Sequence, residues 1–102
     1  MESNALISGN NYYIKSVKTG MYLDVCNASF SNGQIVWSYK YNGTIAQKWK
    51  IQERSAGEYS IMANSGTGNY CLDVPGKSTA SGTGMQIWQY LGDTNQRYMT
   101  AF

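Results

Sequence analysis

Two aspartates stand at matching places in the sequence, each inside the same triplet: Leu23-Asp24-Val25 and Leu72-Asp73-Val74. Each is followed, at one shared separation, by a glutamine, Gln47 in the first case and Gln96 in the second. Between them lie rings and further amides: Tyr39 and Asn42 after Asp24, and Gln86, Trp88 and Asn95 after Asp73. A carboxylate accepts hydrogen bonds in pairs, and an amide both donates and accepts. An aromatic ring covers an apolar C–H face. Together these types suit the grip of a small neutral polyol better than bond-making chemistry.

The rest of the composition points the same way. Eight basic and six acidic residues leave a net charge of +2. That balance lacks the basic cluster of a nucleic-acid or membrane-surface binder, so neither nucleic-acid binding nor membrane insertion is expected. Gly, Asn, Ser and Thr make up 38 of 102 residues and Tyr another 9, so the surface is one that binds by hydrogen bonds and ring faces. Histidine is absent, which removes the commonest general base and zinc ligand. With two lone cysteines, Cys26 and Cys71, and no Cys-x-x-Cys, no metal and no cofactor is expected. Gly76-Lys77-Ser78 lacks the earlier glycine of a phosphate loop, its place being taken by Cys71. No apolar run is long enough to span a bilayer. Met1-Glu2-Ser3-Asn4 begins acidic and polar, so no signal peptide is expected here.

The elements that must position these residues come as a repeat. The second triplet lies 49 positions after the first, and from there the copies align without a gap. Gly33 meets Gly82, Tyr41 meets Tyr90, Gly43 meets Gly92, and Gln47-Lys48-Trp49 meets Gln96-Arg97-Tyr98. The expected organisation is a polar leader over 1–10, one unit over 11–56 and a second over 57–102. Short runs rich in Tyr, Val, Ile and Trp predict strands over Tyr12–Val17, Met21–Val25, Ile35–Tyr39 and Lys48–Ile51. The second unit predicts Tyr59–Asn64, Cys71–Val74, Met85–Trp88 and Arg97–Ala101. Turn residues separate them, and no helical stripe is present, so the class is all-β. Strand alternation places Gln86 and Trp88 on one face, and Met85 and Ile87 on the core side.

The stretch from Gly82 to Tyr98, Gly-Thr-Gly-Met-Gln-Ile-Trp-Gln-Tyr-Leu-Gly-Asp-Thr-Asn-Gln-Arg-Tyr, closely resembles the repeat of the ricin-B-type lectins. That repeat runs Leu-Asp-Val, an apolar strand ending in Trp, Asn-Gly, and a closing Gln-x-Trp. The first copy resembles it through Asn32 to Tyr39, Asn42-Gly43 and Gln47-Lys48-Trp49. The resemblance implies β-trefoil-type repeats of four short strands. It covers two repeats where the family has three, so closure is expected to need a third from another chain or a longer parent. A homo-oligomer, or a piece of a longer protein, follows from that.

The resemblance also implies roles. Asp73 accepts bonds from two adjacent hydroxyls, Trp88 lies against the sugar ring, Asn95 donates to a hydroxyl, and Gln86 and Gln96 orient the site. In the first repeat Asp24 is kept and Tyr39 replaces Trp88, but Trp37 stands for Gln86 and Ala46 for Asn95, with Asn42 or Asn27 as a substitute amide. Each of these has a structural alternative: the aspartates can hold turn N–H groups, and Gln47 and Gln96 can satisfy buried backbone. Trp49 and Tyr98 read as core pillars. Cys71 falls at the family's half-cystine position, but the partner position holds Tyr90, so Cys71 reads as a small core residue. The implied function is non-catalytic binding of galactose-type sugars or a polysaccharide, outside the cell or at its surface. The alternatives are a protein-interaction or inhibitory trefoil with degenerate sugar sites, or a targeting module cut from a secreted glycoside hydrolase or toxin.

Overall fold

A computed structural model describes residues 6–100. The first five residues of the 1–10 leader, and Ala101 at the end of the last expected strand, lie outside that range. The described strands are β1 (Asn11–Tyr12), β2 (Tyr22–Val25), β3 (Val36–Tyr39), β4 (Trp49–Ser55), β5 (Glu58–Met62), β6 (Tyr70–Asp73) and β7 (Gln86–Gln89). One-turn 3-10 segments follow β2, β5 and β6 at Cys26–Ala28, Asn64–Gly66 and Pro75–Lys77, and precede β4 at Ile45–Gln47. A last one spans Thr94–Gln96. Among the described residues there is no α-helix, and hence none long and apolar enough to cross a membrane.

The strands form an antiparallel sheet in the order β1-β4-β5-β6-β7, with β2 and β3 as a separate hairpin. Three expected boundaries are corrected. The first strand is only Asn11–Tyr12, paired with Lys50 and Trp49; beyond it the chain makes a lone bridge from Lys15 to Tyr22 and turns back where Gly20 N–H reaches Ser16 O (2.8 Å). β4 runs on to Ser55 because it pairs with β5 from Lys50 to Ser55, and this ladder carries the polar Gln52 and Glu53 into the sheet, with a register shift at Arg54. Gly57, at φ 74°, supplies the left-handed residue in the turn between them. Within Arg97–Ala101, the described residues form a single bridge, Tyr59 with Tyr98, and no ladder.

The core belongs to both units at once. Val25, Ala46 and Trp49 come from the first, and Ala63, Leu72 and Ile87 from the second. Trp49 is wholly buried and donates its indole N–H to Leu23 O at 3.1 Å, so the ring packs without stranding its polar atom. Its counterpart Tyr98 is only partly buried against the same cluster. The units are also laced together near β7. Gly33 N–H donates to Ile87 O (2.9 Å), Ile87 N–H to Gln34 O (2.9 Å), and Gln89 N–H to Asn32 Oδ1 (2.7 Å). The 32–36 segment of the first unit thereby fixes the strand that carries Gln86 and Trp88.

Candidate functional site

In the second unit Asp73 on β6 lies opposite Gln86 on β7, and Leu72 lies opposite Ile87. Burial of Leu72 and Ile87 sets the register, because a slip of one residue would send both into solvent. The alternation then turns Gln86 and Trp88 outward, and Trp88 is 37% exposed next to the fully buried Ile87. The Thr94–Gln96 turn is tied to the end of β6 by Val74 N–H donating to Asn95 O at 3.1 Å. This brings two more amides to the carboxylate.

Asp73 is buried and takes three side-chain donors. Gln86 Nε2 donates to Oδ1 at 3.0 Å, while Asn95 Nδ2 (3.1 Å) and Gln96 Nε2 (2.9 Å) donate to Oδ2. A carboxylate offers about four acceptor directions, so one remains, not the two needed for a pair of hydroxyls. The Asn95 amide nitrogen is likewise engaged, on Asp73 and on Val74 O (3.2 Å), which leaves its oxygen as the outward-facing function. Gln96 is buried and accepts Leu91 and Gly92 N–H at 2.7 and 3.1 Å. Asp73, Gln86, Trp88, Asn95 and Gln96 line one cavity of about 300 Å³. Its rim carries Lys77 and Asp93, paired at 3.1 Å.

The first unit repeats the plan with different atoms. Asp24 on β2 lies opposite Trp37 on β3, the same cross-strand relation as Asp73 and Gln86. Trp37 donates its indole N–H to Asp24 Oδ1 at 2.7 Å and so does the work of the Gln86 amide. Trp37 also stacks on Tyr39, centroids 5.4 Å apart and planes 14° from parallel, and both rings are 38% exposed. Asp24, Trp37, Tyr39 and Asn42 line a second cavity of about 240 Å³, with Asn27, Thr44 and Ala46. Gln47 sits buried behind it, accepting Asn42 N–H (3.1 Å) and donating to Lys40 O (2.8 Å), and it is not part of the cavity wall. Asn42 shapes the wall by accepting from Thr44 N–H (3.1 Å) and Thr44 Oγ1 (2.8 Å).

Sequence reasoning passed over several lining residues. Trp37 stands where Gln86 stands, and its indole N–H is the donor at that register position. The lips of both cavities are left-handed turns, Asn27 and Ala28 (φ 58° and 52°) in one, and Gly76 and Lys77 (61° and 54°) in the other. The signal was present as an Asn and a Gly at equivalent positions, the types that adopt this geometry most readily. Cys26 and Cys71 are both buried and free. The Cys71 thiol, packed beneath Trp88 with Sγ 3.6 Å from its carbonyl oxygen, is pushed up to about 12 by burial and, secondarily, by the charge of Asp73. Among the described residues no group of three or more His, Cys, Asp or Glu side chains is placed to hold a metal ion.

A family model described as ricin-type beta-trefoil lectin domain-like matches residues 5–88. The chain belongs to that family. Lectin-domain membership supports a carbohydrate-binding module as its general class. The designed threefold-symmetric protein ThreeFoil superposes with a TM-score of 0.82 at 33% identity, over 90% of this chain and 64% of that one. An exo-beta-1,3-galactanase from Clostridium thermocellum superposes with a TM-score of 0.78 at 33% identity, over 89% of this chain and 19% of that one. The tRNA3(Ser)-specific nuclease WapA of Bacillus spizizenii is 27% identical over 84 residues, which is 78% of this chain and 3% of that protein. The chain therefore spans less than two thirds of each of these relatives. The fold is all-β and of β-trefoil type, and the sheets of the described residues do not close into a barrel.

Proposed function

We propose that this chain binds saccharides without catalysis, through one shallow site in each repeat. The observation that carries this is the duplicated constellation. In both units a buried aspartate is held across a strand pair by an N–H donor, with an exposed ring in the same cavity. A ring and a carboxylate facing one small cavity match the C–H face and hydroxyl edge of a pyranose. Galactose-type sugars are the leading ligands, supported by the galactanase whose structure shares the fold. The Asp73 carboxylate, already held by three amides, is set to accept one more hydrogen bond. Each site buries little, so affinity per site is weak and useful binding comes from several sites together. An extracellular or cell-surface setting suits such a module.

The open side of the sheets supports a further partner, a third unit from a second copy of the chain or from a longer parent. Leu6, Ile51, Ile61, Tyr98 and Met99 line an apolar cavity of about 130 Å³, a candidate contact for such a unit. Light scattering reads which source applies.

The binding reading is tested by NMR titration with galactose and lactose. The three tryptophan indoles report separately: Trp88 on the second site, Trp37 on the first, and Trp49 on the core. Trp88 and Trp37 are expected to shift with roughly millimolar affinity while Trp49 stays still. Asn95→Ala, which leaves the Trp88 reporter in place, is expected to weaken the Trp88 response without unfolding the protein. Silence of both exposed indoles toward every saccharide overturns the reading.

A further inference from the structure

The two carboxylates differ in one respect that sets what each can bind. Asp73 carries three donors, and Asp24 carries one, the Trp37 indole. Ala46 stands where Asn95 stands, so the amide that would reach the other oxygen is gone, and the Gln47 amide is spent on Lys40 O. Asp24 is 97% buried, and its Oδ2 has no hydrogen-bond partner among the described residues. An ionised oxygen in that state costs more than a paired one, and the cost is recovered by whatever donor arrives. No basic residue lines this cavity, whereas Lys77 lines the other. The stacked Trp37 and Tyr39 rings beside the carboxylate add faces that attract a cation.

We propose that the first-repeat cavity selects saccharides bearing a free amine, hexosamines in their ammonium form. This rests on the saccharide-binding reading and adds a ligand class to one of its two sites. The ammonium supplies N–H donors where Asn95 supplies them in the second repeat, and brings the counter-charge that Asp24 lacks. The sugar ring lies on the aromatic pair. Because Oδ2 is screened from solvent in the free protein, entry requires a small displacement of the cavity wall. The Trp37 indole, bound to the other oxygen of the same carboxylate, registers that movement.

The experiment is a titration at about pH 6, where the amine of a hexosamine is protonated, read on the Trp37 and Trp88 indole signals. The probes are galactose, N-acetylgalactosamine, galactosamine and n-butylamine. Galactosamine is expected to act on Trp37 about fivefold to tenfold more tightly than the two neutral sugars, with no such preference at Trp88. Asp24→Asn keeps an acceptor for the indole and is expected to erase the preference. Ala46→Asn restores the missing amide and is expected to do the same by a different route. Equal response of Trp37 to neutral and ammonium sugars overturns the inference, as does n-butylamine binding as tightly as galactosamine, which would reduce the site to one for any amine. A response of Trp88 alone removes the first-repeat site and leaves the general reading standing. Silence of both indoles removes the general reading itself.

Discussion

The two repeats share a plan and spend their side chains differently. In the second, Asp73 is the hub of an amide network, and the core strand position before Leu72 is the small Cys71. In the first, Asp24 leans on a single indole, and the position equivalent to Cys71 is Tyr22, part of an edge-to-face cluster with Tyr13 and Tyr41. Where the first unit fills space with its own rings, the second receives Arg54 from β4 of the first, whose guanidinium lies 4.3 Å from the Tyr90 ring centre and hydrogen-bonds Ser60 Oγ at 2.8 Å. The lesson is that a repeat conserves the direction of its side chains through strand register, while the number of polar partners each one finds depends on neighbours the other copy does not share.

The contrast between the pillars should give the largest effect. Trp49→Ala removes a wholly buried ring and is expected to destabilise by about 4 kcal/mol. Tyr98→Phe deletes a buried hydroxyl without a partner among the described residues, and is expected to change stability by less than about 1 kcal/mol. Urea melts of both variants measure this, and similar losses would erase the distinction between the two positions.

Next comes the contrast between the carboxylates. Asp73→Ala strands three amide donors, and Asp24→Ala strands one indole N–H. The expected losses are about 3 and about 1 kcal/mol, from about 1 kcal/mol for each hydrogen bond lost. The same melts decide it, and a larger loss at Asp24 would mean that its charge is better held than its partners indicate.

Cys71 against Tyr22 gives the smallest effect, read through pH. The folded thiol, raised to about 12, stays neutral where the unfolded thiol ionises near 9. Stability from this group is therefore complete well below pH 9 and drains away as pH rises toward the folded value, by about 1.4 kcal/mol at pH 10. Burial raises the Tyr98 hydroxyl too, which steepens the loss further up the scale. Cys71→Ala should flatten the pH 8 to 10 part of the profile, and an unchanged slope would show that the thiol has no part in it.

Part of the geometry of the second cavity was legible in the residues. The alternation around Ile87 placed Gln86 and Trp88 on one side before any coordinates, and burial of Trp49 followed from its place in the Gln-x-Trp signature. The length of β4 was not legible, because Gln52-Glu53-Arg54-Ser55 carries no apolar alternation and is held by pairing with β5. Nor was the role of Trp37, since a tryptophan in a glutamine's place reads as a lost amide until the indole is seen reaching Asp24.

By itself the sequence determined the duplication, the all-β class and the face on which each strand residue lies, because these follow from spacing along the chain and the two-residue period of a strand. Only the tertiary structure decided that Asp73 takes three side-chain donors while Asp24 takes one, and that one core is shared by both units. Hydrogen-bond saturation and close packing depend on atoms brought within a few ångströms by turns and cross-strand pairing, and separation along the chain carries no record of that distance.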